Sequence, residues 1–285
     1  MATGTLYVVA TPIGNLGDIS MRAAQTLSDA DFIAAEDTRV TLKLLNHLDI
    51  KKQLISYYAH NSRESGEKII NRILSGESCA LVTDAGTPGI SDPGEELVRL
   101  CIEAEIPIIS VPGPCAAVTA LSLSGLPAGR FAFEGFLSTV KKSRFERLND
   151  LKSEKRTMVF YEAPHKLVRT LNDMLAVLGD RRVSISRELT KIFEDTMRCN
   201  LSQAVSHYGQ IQPRGEYVLV IEGASDECQT VPDLAQSIAA AKLYMDGGSS
   251  VKDAVKKAAE DTGVSKNTLY NAVINNSKFG IRNSE

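Results

Sequence analysis

The chain has 285 residues, enough for one large domain or two of medium size. Apolar residues make up 43% and charged residues 24%, which is globular composition and excludes a wholly disordered chain. The formal charge of -3 argues against an overall basic polymer binder, but it conceals a gradient: residues 1–113 carry a net -6, residues 114–232 a net +2 and residues 233–285 a net +1.

Leu6-Tyr7-Val8-Val9-Ala10 is a β-branched and aromatic run that reads as a buried strand, broken by Thr11-Pro12-Ile13-Gly14-Asn15. Residues 20–30 show helical spacing through Met21, Ala24 and Leu27, with Ser20 as N-cap. Asp31 to Ala35 is a second strand, ending in Glu36-Asp37-Thr38-Arg39, and residues 40–48 are helical. Cys79 to Thr83 is a strand that leads into a Gly/Pro loop over 84–94. A helix over 95–104 and a strand from Ile106 to Val111 follow. Strands alternating with helices predict an α/β domain with a largely parallel sheet.

Pro112-Gly113-Pro114 is the expected domain boundary. Beyond it a helix covers 115–124, strands cover Phe131–Phe136, Thr157–Glu162, Val183–Glu188 and Tyr217–Glu222, and a helix covers about 165–178. This predicts a second α/β unit of undetermined strand order. A polar linker over 224–232 leads to an all-helical tail. The expected domains are 1–113, 114–226 and 233–285.

Cys79, Cys101, Cys115, Cys199 and Cys228 are odd in number and form no C-x-x-C, so neither a disulfide framework nor a zinc ribbon is expected. Cys79 and Cys101 read as small core residues. The N-terminus lacks a basic leader segment, and no apolar run approaches the ~20 residues of a membrane span. The four histidines form no metal motif. The expectation is a cytoplasmic protein with no metal and no membrane partner.

Chemistry concentrates at strand ends, where open α/β sheets bind ligands. Asp84-Ala85-Gly86-Thr87-Pro88-Gly89-Ile90-Ser91-Asp92-Pro93-Gly94 is glycine-rich without the spacing of a dinucleotide fingerprint or a P-loop. Its glycines permit close backbone approach, and Asp84 and Asp92 can accept hydrogen bonds from hydroxyls or an amine. A merely rigid turn is the alternative. Pro112 to Ala117 turns a strand into a helix N-terminus, which suits an anionic group or simple close packing. Cys115, with no histidine beside it, reads as a wall residue rather than a nucleophile. In Phe160-Tyr161-Glu162-Ala163-Pro164-His165 the tyrosine can stack on a base, and His165 reads as a surface residue more than a base. Glu36 to Arg39 and Arg187-Glu188-Leu189-Thr190-Lys191 place mixed charges at strand ends, fit for phosphate and proton handling or for surface ion pairing. Residues 138–169 carry a net +5, including Lys141, Lys142, Arg144 and Arg147, which is a phosphate footprint or a solvated helix face.

Taken together, these motifs resemble the tetrapyrrole methylase superfamily. Leu6 to Ile19 resembles its opening strand and Gly/Pro loop, and Ala30-Asp31-Phe32-Ile33 its second strand. Within the superfamily, Ala35 to Arg39, Asp84 to Pro88, Ile90 to Gly94, Pro112 to Ala117, Phe160 to His165 and Arg187 to Lys191 resemble the ribosomal RNA small subunit methyltransferase I subfamily. The resemblance runs from residue 5 to about 223.

It implies two α/β domains with S-adenosylmethionine in the cleft between them, a homodimer, and 2′-O-methylation of a cytidine in the decoding region of 16S rRNA. The implied donor site is Pro12, Asp84, Gly86, Thr87, Ile90, Cys115, Ala116, Tyr161, Ala163 and Pro164. Porphyrin methylases usually carry Gly-Asp-Pro where this chain has Asp84-Ala85-Gly86, which disfavours a tetrapyrrole substrate. Removing the proton of a ribose hydroxyl calls for a carboxylate or cation, and Glu36, Arg39, Glu188 and Lys191 are the candidates. A tetrapyrrole methylase and a non-enzymatic rRNA assembly factor are the alternatives. Ser250 to Val273 reads as helix, glycine turn and helix with Ser265 as cap, a helix-turn-helix pattern that serves either RNA docking or packing.

Overall fold

The computed structural model describes residues 3–58, 62–92, 94–225, 234–262 and 264–279. Pro93, Cys228 and most of the expected linker lie outside them. The chain forms two compact units, Met1–Gly223 and Ala224–Glu285.

In the first unit, β1 (Leu6–Val9), β2 (Phe32–Ala35), β3 (Gln53–Ser56), β4 (Cys79–Val82) and β5 (Ile108–Val111) form a sheet of order β3-β2-β4-β1-β5. Every pairing in it is parallel. The four residues of β2 and of β4 are all buried. That explains their continuous apolar sequence, because a central parallel strand is covered on both faces. The covering helices are α1 (Met21–Asp29), α2 (Thr38–His47), α3 (Ser62–Leu74) and α4 (Gly94–Glu103). The Ser20 hydroxyl caps α1 by accepting from the Ala23 N–H at 3.1 Å, a bond of about 1 kcal/mol. Cys79 and Cys101 are fully buried in this core.

Pro112 to Cys115 link this sheet to α5 (Ala116–Ser124) and a second sheet. Its strands are β6 (Phe131–Phe136), β7 (Thr157–Glu162), β8 (Arg182–Arg187), β9 (Asp195–Asn200) and β10 (Tyr217–Ile221), in the order β6-β7-β10-β8-β9. Only β6 and β7 run parallel. Helices α6 (Lys141–Asp150), α7 (Pro164–Leu178) and α8 (Leu201–Gly209) complete this half. The α7 stripe of Leu167, Leu171, Met174 and Leu178 is buried in the second core, each side chain contributing about 1.5–3 kcal/mol. The architecture is the expected pair of α/β sheets with a helical appendage.

That appendage, the second unit, holds α9 (Leu234–Asp246), α10 (Val251–Thr262) and α11 (Lys266–Phe279). They share a core of Ala241, Val255, Ala258, Val264, Leu269 and Val273. Ser265 accepts from the Thr268 N–H at 3.2 Å, the expected cap. Among the described residues, no helix is long and apolar enough to cross a membrane.

Candidate functional site

The carboxyl ends of β1, β2, β4 and β5 lie at one edge of the parallel sheet, so four motifs remote in sequence meet there. Backbone bonds weld them. The Thr11 N–H donates to Gly86 O at 2.9 Å, and the Gly86 N–H donates to Thr11 O at 3.1 Å. The Thr87 hydroxyl donates to Pro114 O at 3.1 Å. Gly86 holds φ at +91°, a conformation that disfavours any side chain.

These loops and the facing ends of β6, β7, β8 and β10 enclose a cavity of about 620 Å³, within the usual range for small-molecule sites. Ile13, Leu189 and Val218 give it an apolar wall. Carboxylates line it from the first sheet's side. Glu36 Oε2 accepts from the Thr83 hydroxyl at 2.5 Å and the Asp84 N–H at 3.3 Å. Asp84 Oδ1 accepts from the Asp37 N–H at 3.0 Å. Burial, and then Glu36, push the Asp84 carboxyl above its ordinary range. Tyr161 forms part of the opposite wall and accepts from the Ala117 N–H at 3.2 Å, while burial pushes its phenol up to about 12.

Two helix starts open on the cavity. Cys115 precedes α5 and Ala163 precedes α7, and both line the cavity; neither caps its helix with its own side chain, but Tyr161 takes the Ala117 N–H and Glu162 Oε1 takes the Ala163 N–H at 2.8 Å. A cavity that combines carboxylates, an aromatic side chain and an apolar wall fits S-adenosylmethionine, which carries a cationic sulfonium and ammonium and a flat base. Gly86, with no Cβ, leaves room for close approach.

The structure distributes the sequence candidates as follows. Asp84, Gly86, Thr87, Ile90, Cys115, Ala116, Tyr161, Ala163 and Pro164 line the cavity, and Ile13 stands there instead of Pro12. Glu36 lines it, whereas the Arg39 side chain is 87% exposed and folds back on Asp37 at 2.6 Å. Glu188 and Lys191 form an ion pair at 2.9 Å outside the lining, and Lys191 also reaches Glu216 at 2.7 Å. Glu216 does line the cavity, so this triad borders it. Sequence reasoning missed Thr83, Phe136, Ser186, Glu216 and Tyr217 as lining residues. The polar Ser184 and Ser186 inside the buried β8 strand were the available signal.

Arg144 requires a correction. Its side chain is 3% exposed, and its Nε donates to Asp173 at 2.7 Å while its Nη1 donates to the Ser138 and Thr139 carbonyls at 3.0 and 3.1 Å. The guanidinium therefore joins α6 to α7 instead of facing phosphate. Arg147 is half-exposed and pairs with Glu134, while Lys141 and Lys142 are exposed on α6. No cluster of metal-ligating side chains occurs among the described residues.

Residues 5–205 match the family model of tetrapyrrole (corrin/porphyrin) methylases. The chain is 48% identical to the ribosomal RNA small subunit methyltransferase I of Halalkalibacterium halodurans, over 94% of either chain. It is 45% identical to the protein of that name from a Synechocystis species, over 94% of this chain and 96% of the relative. The uroporphyrin-III C-methyltransferase of Thermus thermophilus, solved in complex with S-adenosylhomocysteine, shares the fold with a TM-score of 0.54 at 18% identity, covering 77% of this chain and 97% of that one. The chain therefore belongs to the tetrapyrrole methylase family, as an S-adenosylmethionine-dependent methyltransferase of the ribosomal RNA small subunit methyltransferase I group.

Proposed function

We propose that this enzyme methylates the ribose 2′-hydroxyl of a cytidine in the decoding region of 16S rRNA, acting in the cytoplasm as a homodimer on the rRNA or the small ribosomal subunit. The observation that carries this reading is the near full-length match to relatives named for small-subunit rRNA. In this reading residues 1–113 and 114–226 serve as the two halves of the methylase, and Lys141 and Lys142 meet RNA phosphate, while Arg147 is taken up by Glu134.

S-adenosylmethionine, when bound, supplies a methyl group already activated by its sulfonium. The task left to the chain is to orient the acceptor hydroxyl and receive its proton. The Asp84–Ile90 loop, Cys115, Ala116 and Tyr161 to Pro164 would hold the donor. Glu36 is the proton acceptor in this scheme. Its Oε2 is held by Thr83 and Asp84, and in this scheme Oε1 takes the hydroxyl proton. Glu188 and Lys191 position Glu216 at the cavity border through their ion pairs, and Arg39 offers an exposed guanidinium to the RNA backbone.

The test is incubation with labelled S-adenosylmethionine and either small subunits or 16S rRNA, then digestion and mass spectrometry of nucleosides. The expected product is 2′-O-methylcytidine. A base-methylated nucleoside, or label transferred only to a tetrapyrrole, overturns the reading. Glu36→Gln is expected to lower turnover about 10²–10⁴-fold with donor affinity unchanged. Weakened donor binding with intact turnover would place Glu36 in the donor site instead.

A further inference from the structure

The helical unit takes no part in the scheme above, yet one of its surfaces is not that of a packing appendage. Its core is made by Ala241, Val255, Ala258, Val264, Leu269 and Val273, and residues 263–265 alone join α10 to α11. Leu269 and Val273 bury one face of α11 in that core. Lys266, Asn267, Tyr270 and Asn271 form a second face, since residues three and four apart on a helix are neighbours. All four are exposed, and Tyr270 keeps 41% of its surface in solvent.

A solvated helix face is ordinarily stabilised by strong helix formers and by Glu–Lys pairs. The sequence of α11, Lys-Asn-Thr-Leu-Tyr-Asn-Ala-Val-Ile-Asn-Asn-Ser-Lys-Phe, holds four Asn, two Lys and no Asp or Glu. Asn is a poor choice for helix stability, because its amide competes for nearby backbone groups. The composition suits contact with an anionic polymer instead. An ammonium meets phosphate, an amide both donates and accepts, and an exposed phenol ring can stack on a base. The basic window of the methylase spends Arg144 on Asp173 and Arg147 on Glu134, so a second cationic surface supplies attraction that the window lacks.

The shape of RNA narrows the partner further. The major groove of paired RNA is too deep and narrow for side chains to read, whereas unpaired segments splay their bases and display their 2′-hydroxyls. We propose that the Lys266–Asn271 face of α11 docks on an unpaired segment of small-subunit rRNA. Tyr270 stacks on a splayed base, Asn267 and Asn271 hydrogen-bond its ribose and phosphate oxygens, and Lys266 meets phosphate. This rests on the rRNA reading above. Tethering such a contact to the methylase makes capture of the target partly intramolecular, which lowers KM and leaves methyl transfer itself alone.

The test follows full-length variants by methylation of small subunits and by filter binding of 16S rRNA. Tyr270→Ala should raise KM and the rRNA Kd by about 5- to 150-fold with kcat unchanged. Tyr270→Phe keeps the ring and should bind as wild type does. Lys266→Ala should shrink the slope of log affinity against log salt by about 0.7. Single-stranded RNA should compete for the wild-type chain better than paired RNA or single-stranded DNA, and Tyr270→Ala should remove that preference. Unchanged KM and Kd in Tyr270→Ala overturn the proposal and leave rRNA methylation standing. A salt slope unmoved by Lys266→Ala also overturns it, and this variant at an exposed helix start decides the matter if Tyr270→Ala lowers Tm. Equal competition by DNA, or a loss in Tyr270→Phe as large as in Tyr270→Ala, counts against it in the same way. If wild type methylates neither small subunits nor 16S rRNA, both readings fall together.

Discussion

Arg144→Met removes a guanidinium that makes three hydrogen bonds and keeps most of its apolar length. It strands the Asp173 carboxylate and the Ser138 and Thr139 carbonyls. Breaking one partner out of a buried ion pair costs about 3–5 kcal/mol. Asp173 retains 15% exposure, so water can reach the stranded carboxylate, and the lower end, about 3 kcal/mol, is the expectation. For a unit of this size each kcal/mol lowers Tm by about 2–4 °C, so the drop should be roughly 6–12 °C. The chain contains no Trp, so far-UV circular dichroism is the suitable probe. Pairing the change with Asp173→Leu should recover much of the loss, because no carboxylate is then left stranded. Lys142→Ala, on an exposed side chain, should leave Tm unchanged. The reasoning is refuted if Arg144→Met melts as wild type does while rRNA affinity and its salt dependence fall, since that is the behaviour of a phosphate contact.

Gly86→Ala forces a side chain into a left-handed conformation at about 1–2 kcal/mol and sets a methyl group 3.5 Å from Ile13 at the cavity wall. It should lower Tm and weaken S-adenosylmethionine binding by calorimetry, whereas Gly125→Ala, where a Cβ meets nothing within 4 Å, should carry the strain without the binding loss. Stability should also depend on acid. The Lys191 ammonium beside Glu188 and the Arg182 guanidinium beside Glu222 hold both carboxyls below their ordinary 4.5. Their contribution is present above about pH 4.5 and is lost as pH falls through the depressed folded values. Glu222→Gln should flatten the decline measured by urea titration below pH 4.5, and an unchanged slope would count against the pairing.

The first sheet was legible because its buried parallel strands are unbroken apolar runs punctuated by Gly and Pro, and those punctuations are the ligand loops. The gaps have physical causes. β3, Gln-Leu-Ile-Ser at a sheet edge, has no fully buried residue, so it carries little apolar signal. β9, Asp-Thr-Met-Arg-Cys-Asn, pairs with β8 alone and reads as polar loop for the same reason. Glu216 and Tyr217 reach the cavity only because β10 runs antiparallel between β7 and β8, which brings the start of one strand beside the ends of two others. Strand order is a tertiary property, and no local pattern in residues 210–222 encodes it. Arg144 shows the same limit from the other side. Its partner Asp173 is 29 residues away on another helix, so the sequence displays a charge and hides its pairing.

The charge gradient takes on a structural meaning once side chains are placed. The acidic first segment supplies Glu36, Asp84 and Asp92 to one wall of the cavity, where carboxylates suit a cationic donor better than bulk net charge could. The basic window is thinner than its net +5 suggests. Arg144 is bound to Asp173, Arg147 to Glu134 and Arg156 to Glu154, so three of its arginines answer acids of the same fold. Electrostatic attraction of RNA then rests on few phosphate contacts. Under the proposed rRNA reading, a narrow footprint of this kind would hold a folded particle in register and leave discrimination to the cavity.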